Sequence, residues 1–120
     1  MHQSIFASFK VAFEGIIYAF RYNRNLKIHF FSAFVVILAG IYFGVSFFER
    51  IILGIVILLV IAAEMINTSL EEVVDLITTE HRKEAKIAKD VAAGMVLLAA
   101  AGSVIIGILI FTPYVLKLFG

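Results

Sequence analysis

The chain of 120 residues contains no cysteine, one proline, eight glycines and few charged residues. The lack of cysteine excludes disulfide frameworks, thiol chemistry, iron–sulfur clusters and cysteine-ligated zinc sites. The low proline and glycine content excludes collagen-like, linker and disordered classes. Charged residues make up 16% of the chain and hydrophobic residues 62%, whereas soluble domains are about 45–50% apolar. The composition therefore indicates a protein buried in a lipid bilayer.

Two long segments without charged side chains predict membrane-spanning helices. Residues 29–48 contain no Asp, Glu, Lys or Arg, and a helix of that length rises about 30 Å, which matches the hydrocarbon core. The second uncharged segment, residues 91–116, predicts a span over 89–112, ending before Pro113 because a proline ring disrupts a helix.

A third span is predicted over 51–77, between the other two. Only thirteen apolar residues precede Glu64 in this segment, which is too few to cross a bilayer. A spanning helix must therefore carry Glu64 at membrane depth, where ionisable residues usually mark function. The prediction is an all-α integral membrane protein with three transmembrane helices.

Basic residues predict the orientation of these spans. Four precede the first span and four lie between the second and third, whereas Arg50 and Lys117 stand alone in the other two segments. Because basic residues favour the cytoplasmic side, the N-terminus is predicted inside and the C-terminus outside. The acidic end of the second span then faces the cytoplasm.

The N-terminal segment over about 3–22 predicts a further, non-spanning helix. Gln3, Lys10, Glu14 and Arg21 are spaced by seven, four and seven residues, which places them in one narrow polar stripe. We expect an amphipathic helix at the cytoplasmic interface.

Four polar residues of the second span share one helix face, and we call them the polar stripe: Glu64, Asn67, Glu71 and Asp75. Their spacings of three, four and four keep them within about 80° of one another. Oxygen ligands of this type suit Mg²⁺. The alternative is that the acids beyond Asn67 form the solvated end of a helix leaving the membrane.

The third span begins at the same membrane face with Lys89 and Asp90. These residues supply a positive charge and a further carboxylate next to the polar stripe. The phosphate-binding loops of soluble nucleotide enzymes are not found in the sequence, and the basic residues favour orientation and head-group contact over nucleic-acid binding.

The pattern E-x2-N-x3-E-x3-D-x13-K-D, from Glu64 to Asp90, resembles the signature of the prokaryotic diacylglycerol kinase family. The form Asn67-Thr68-Ser69 resembles the Gram-positive branch, whose members phosphorylate undecaprenol. The resemblance implies a single membrane kinase domain over 1–120, a homotrimeric helical bundle in the bacterial cytoplasmic membrane. It also implies transfer of the ATP γ-phosphoryl group to a lipid hydroxyl, with undecaprenol favoured over diacylglycerol.

The resemblance also implies roles for individual residues. Glu64 corresponds to the base that deprotonates the lipid alcohol, and Asn67 and Lys89 to residues around the transferred phosphate. Glu71 corresponds to a Mg²⁺ ligand that bridges the nucleotide phosphates. The nucleotide is held by four residues of this set: Glu71, Asp75, Lys89 and Asp90.

One position departs from the family pattern. Family members carry a glutamate that binds metal shortly before the first span, whereas this chain has Asn23. Asn23 retains an oxygen and is the expected second metal ligand beside Glu71, but the lost charge weakens a Mg²⁺ site. Three explanations stay open: Glu72 or Glu14 compensates, the enzyme is slow, or the alignment is shifted by one residue.

Two other functions are compatible with the sequence. A small proton- or cation-coupled transporter would use Glu64 to exchange protons, and it requires acids along a path open to both faces. A non-catalytic membrane subunit would explain Asn23 as decay, but not the retention of the polar stripe together with Lys89 and Asp90. The lipid phosphorylated in the cell, the number of metal ions and the sharing of sites between subunits stay open.

Overall fold

The computed structural model describes residues 4–120 and shows four α-helices and no strand in that range. Three helices are long and apolar enough to cross a membrane, which confirms the predicted all-α class with three spans. Gln3, the predicted start of the N-terminal helix, lies outside the described residues. The helices are α1 (Ile5–Tyr22), α2 (Arg24–Phe43), α3 (Phe47–Ile77) and α4 (Lys83–Phe119).

A single residue, Asn23, separates α1 from α2. Its backbone is extended, and its side-chain oxygen accepts hydrogen bonds from the backbone N–H groups of Asn25 and Leu26 at 2.9 and 3.2 Å. An asparagine at this position is a favourable N-cap. The cap begins α2 at Arg24, five residues before the predicted start of the first span at residue 29.

The first spanning helix also ends earlier than residue 48. Gly44 adopts a left-handed conformation (φ 62°, ψ 46°), and the N–H groups of Gly44 and Val45 bond to carbonyls in the last turn of α2. Ser46 and Glu49 then form a capping box that begins α3. The predicted span over 29–48 therefore includes the turn between α2 and α3. The sequence did not reveal this turn, because its residues are small or apolar and carry no charge.

The last helix does not end before Pro113. Proline removes one backbone hydrogen bond, but spanning helices tolerate it where neighbouring groups support the backbone. The Tyr114 hydroxyl donates a hydrogen bond to Glu49 of α3, and the Tyr114 ring lies 6.1 Å from that of Phe43. These contacts hold the end of α4 against the other helices, so α4 covers more than the predicted 89–112.

Helix α3 is the central element of the fold. It packs most extensively against α4 and also against α2, while α1 contacts both α2 and α3. One buried cluster joins the α2–α3 turn to α3 and α4 through Val45, Leu53 and Ile110. This packing leaves the polar stripe near the junction of α1 and α2.

The conformation of Gly44 generates a stability prediction. Gly44→Ala should destabilise the fold by about 1 kcal/mol, because a Cβ atom disfavours the left-handed region. No atom lies within 4 Å of the Cβ position at Gly44 or at Gly54 inside α3, so Gly54→Ala is a matched control without the backbone penalty. Thermal unfolding in detergent measures both, and equal melting temperatures for the two variants would contradict the prediction.

Candidate active site

Two residues of the polar stripe are buried. Glu64 is 1% exposed and Asn67 is 8% exposed, and no other polar side chain in residues 4–120 is buried. A buried carboxylate is costly unless hydrogen-bond donors or cations surround it. The contacts of Glu64 therefore define the site.

The carboxylate of Glu64 is held by the residue that begins α2. Asn23 Nδ2 donates a hydrogen bond to Glu64 Oε1 at 2.9 Å and a second one to Thr68 Oγ1. The Thr68 hydroxyl in turn donates to the Glu64 backbone carbonyl at 3.0 Å. This network fixes the α1–α2 junction against α3 at the depth of Glu64.

The second carboxylate oxygen lies near a histidine, and this histidine lines an apolar cavity. His29 Nε2 lies 3.7 Å from Glu64 Oε2. His29 also lines a cavity of about 220 Å³ between α2, α3 and α4, whose walls include Ala33, Val60 and Phe111. Glu64 thus lies near the histidine-lined part of a mostly apolar cavity within the bundle. Sequence reasoning missed this histidine, because no spacing connects residue 29 to residue 64.

Asn67 lies one turn further along α3 and has an unsatisfied oxygen. Its Oδ1 is buried and accepts no hydrogen bond from any residue that the structure describes. Buried polar atoms are nearly always paired, so each exception needs an explanation. An amide oxygen in this state is suited to a substrate donor or to a cation.

The outer half of the polar stripe is exposed and joined to α4. Lys89 Nζ donates to Asp75 Oδ1 at 2.6 Å, with both side chains partly open to solvent. Glu71 is exposed one turn before Asp75. The predicted association of Lys89 with the stripe is present, and it places a cation among carboxylates at the end of α3.

Asp90 lines the same cleft as Asp75 and Lys89, but within the described residues it forms no hydrogen bond to the polar stripe. Its carboxylate accepts a hydrogen bond from Lys86 one turn earlier on α4. This hydrogen bond raises the pKa of the Lys86 ammonium group, which precedes the apolar part of α4. The sequence places Asp90 beside Lys89, but adjacent helical side chains point in different directions.

The position of Asn23 differs from that expected of a metal ligand. Both lone pairs of its side-chain oxygen are used by the backbone N–H groups of α2, and its nitrogen faces Glu64. Within residues 4–120, no three His, Asp or Glu side chains are grouped closely enough to hold a metal ion by themselves. In this arrangement the Asn23 oxygen caps α2 and forms no contact with Glu71, and its expected role as a metal ligand stays a prediction.

The remaining oxygen ligands still fit Mg²⁺ bound together with a nucleotide. Glu71 offers an exposed carboxylate, and Asn67 offers a buried oxygen without a partner one turn away. Mg²⁺ is usually bound through one or two carboxylates together with substrate phosphates and water, rather than in a cage made only of protein. A partial set of ligands is thus sufficient.

The Lys89–Asp75 contact generates a prediction about binding. Lys89→Met should weaken nucleotide binding about tenfold or more, because a charge-assisted contact to phosphate is lost. The free energy of unfolding should change by less than about 1 kcal/mol, since the ion pair between Lys89 and Asp75 is exposed. Lys117→Met removes the same charge at the far end of α4 and serves as the control. Equal nucleotide affinities for the two variants, measured by titration with a fluorescent ATP analogue, would contradict the prediction.

Comparisons with known proteins identify the family of this chain. The family model of prokaryotic diacylglycerol kinase matches residues 10–111. A protein named diacylglycerol kinase from Synechocystis sp. is 41% identical over 96% of this chain, which spans 66% of that relative's length. A protein named undecaprenol kinase from Bacillus subtilis is 42% identical, and the match covers 90% of this chain and 88% of the length of that relative.

A third relative, named diacylglycerol kinase, comes from Haemophilus influenzae. It is 33% identical over 87% of this chain and 90% of its own length. The match to the family model covers all six residues of the signature from Glu64 to Asp90. The chain belongs to the prokaryotic diacylglycerol kinase family.

Proposed function

We propose that this protein is an ATP- and Mg²⁺-dependent lipid kinase that phosphorylates the hydroxyl group of a membrane lipid. One observation carries the proposal: the buried Glu64 carboxylate lies near an apolar cavity, and exposed charged residues lie two to three turns further along the same helix. A lipid alcohol approaches from the membrane, and a soluble nucleotide approaches from the aqueous side. The two substrates therefore meet along the polar stripe.

The proposed reaction is a direct phosphoryl transfer. Glu64 accepts the proton of the lipid hydroxyl as general base. The lipid oxygen forms a bond to the γ-phosphorus of ATP, the bond between that phosphorus and the β,γ-bridging oxygen breaks, and ADP leaves. Asn67 and Lys89 orient and neutralise the transferred group, while Asp75 and Asp90 help to hold the nucleotide.

Glu71 is the proposed protein ligand of Mg²⁺, and the unpaired oxygen of Asn67 lies one turn away on α3. When bound, the ion neutralises charge on the β- and γ-phosphate oxygens.

Undecaprenol is the favoured lipid. Two observations support this choice: the sequence Asn67-Thr68-Ser69, which resembles the undecaprenol-phosphorylating branch, and the relative named undecaprenol kinase, which matches most of both chains. The cavity beside His29 has few polar groups. A bare alcohol on a hydrocarbon chain needs fewer polar contacts than a diacylglycerol with two esters.

The proposed setting is the bacterial cytoplasmic membrane, with the polar stripe facing the cytoplasm and a homotrimer as the assembly. The clusters of basic residues before α2 and between α3 and α4 support the orientation. The exposure of Glu71, Asp75 and Lys89 in the single chain supports a site that is completed by a neighbouring copy. The amphipathic α1 is proposed to lie at the membrane interface.

A substitution of the proposed base tests the reaction. Glu64→Gln should lower phosphate transfer at least about a hundredfold, because a neutral amide cannot accept the proton. ATP affinity should stay within about twofold, since Glu64 is buried away from the exposed end of the stripe. Transfer from γ-labelled ATP to undecaprenol and to diacylglycerol in mixed micelles measures the rate and the lipid preference.

Glu84→Gln is the matched control, because Glu84 is exposed in the first turn of α4 and lies outside the polar stripe. It should transfer phosphate like the wild type. Equal loss of ATP binding and transfer in Glu64→Gln would contradict a role as base. A wild type that phosphorylates diacylglycerol faster than undecaprenol would contradict the proposed preference.

The oligomeric proposal has a separate test. The mass of the detergent-solubilised protein, measured by light scattering after size exclusion, should correspond to three chains in fractions that carry activity. A monomeric fraction with full specific activity would contradict the homotrimer.

A further inference from the structure

We infer that Asn23 is a positioning residue for Glu64: it acts as a hydrogen-bond donor that orients the base, and its oxygen is not a ligand of the metal. The inference rests on the proposed function, because it assigns a role relative to the base of that reaction. It concerns a position at which the chain departs from the family pattern.

The hydrogen bonds of Asn23 fix the direction of its side chain. An asparagine has two acceptor positions on oxygen and two donor positions on nitrogen. The oxygen accepts from the backbone of Asn25 and Leu26, and the nitrogen donates to Glu64 and Thr68. All four positions are used. A reversed amide would set its oxygen against the Glu64 oxygen and its nitrogen against backbone donors, losing the bonds to Glu64, Asn25 and Leu26.

Electrostatics distinguish an asparagine from a glutamate at this position. Glu64 is 1% exposed, and the nitrogen of Asn23 lies 2.9 Å from its oxygen. A carboxylate in that place would oppose a second buried carboxylate, and the pair would need a proton or a cation between them. Asn23 supplies N–H groups instead. Asparagine in place of glutamate therefore replaces a contact that needs a proton or a cation with a direct hydrogen bond.

The same bond separates the two oxygens of Glu64. Oε1 is occupied by Asn23, whereas Oε2 faces His29, which lines the apolar cavity. Oε2 is therefore the atom that accepts the proton of the lipid hydroxyl. Asn23 contributes to the rate by holding the carboxylate in the plane that turns Oε2 toward His29 at the edge of the cavity, without touching either substrate.

The test must separate this role from the capping of α2, and Asn23→Ser does so. Serine is a favourable N-cap and is neutral, but it has no amide group to reach Glu64. We expect kcat to fall about 10- to 100-fold, since a hydrogen bond to a buried charged group is lost. The KM for ATP and the affinity for the manganese–ATP complex, measured by electron paramagnetic resonance, should stay within about twofold.

Asn25→Ser is the matched control. It removes the same side chain two residues later, where Asn25 is exposed and contributes only its backbone N–H to the described network. Its kcat, KM and melting temperature should equal those of the wild type.

Asn23→Asp is a second variant, used also if Asn23→Ser fails to fold. Aspartate keeps the size and the capping oxygen of asparagine, but it sets an acceptor against Glu64. The inference predicts that kcat falls at least as far as in Asn23→Ser. A metal-ligand role predicts the opposite result, because a carboxylate binds Mg²⁺ more strongly than an amide does.

Three outcomes would overturn the inference: wild-type kcat in Asn23→Ser, weakened manganese–ATP binding in Asn23→Ser, or kcat in Asn23→Asp at or above the wild-type value. Failure of the proposed function is distinguishable from these results, because it appears as an absence of lipid phosphorylation by the wild-type protein itself.

Discussion

The burial of one carboxylate is the constraint on which the rest of this structure depends. Glu64 lies almost completely out of solvent within a helix that is apolar for most of its length. Such a group is stable only if nearby donors replace water. Asn23 provides that replacement from a position 41 residues earlier, and the same side chain begins α2. The start of a spanning helix and the environment of the proposed base are thus determined by one residue.

The length of α3 connects two environments. Its 31 residues exceed what a bilayer requires, which supports the proposal that the helix carries the polar stripe from membrane depth into the aqueous phase. Glu64 and Asn67 lie at the buried end, while Asp75 meets Lys89 of α4 at the exposed end. A lipid substrate is found in the membrane, whereas a nucleotide is found in the aqueous phase. A single long helix with polar residues on one face is a simple way to bring them together.

The three spans, the family signature and the burial of Glu64 were predictable from the sequence, because hydrophobic length and residue spacing are local properties. The contact of Asn23 with Glu64 and the approach of His29 were not, since they depend on how separate helices pack. The C-terminal ends of α2 and α4 were also missed, whereas those of α1 and α3 lie at the predicted residues 22 and 77. Gly44 ends α2 through its backbone conformation, and α4 continues past Pro113 because Tyr114 is tied to α3.

The central claim is that the amide nitrogen of Asn23 holds the Glu64 carboxylate inside the membrane domain. Solid-state NMR of the protein in lipid bilayers tests it most directly, by measuring dipolar coupling between ¹⁵N in the Asn23 side chain and ¹³C in the Glu64 carboxyl group. The account predicts a strong through-space correlation, as expected for the 2.9 Å contact between Asn23 Nδ2 and Glu64 Oε1. The absence of that correlation in folded protein that phosphorylates lipid would contradict it.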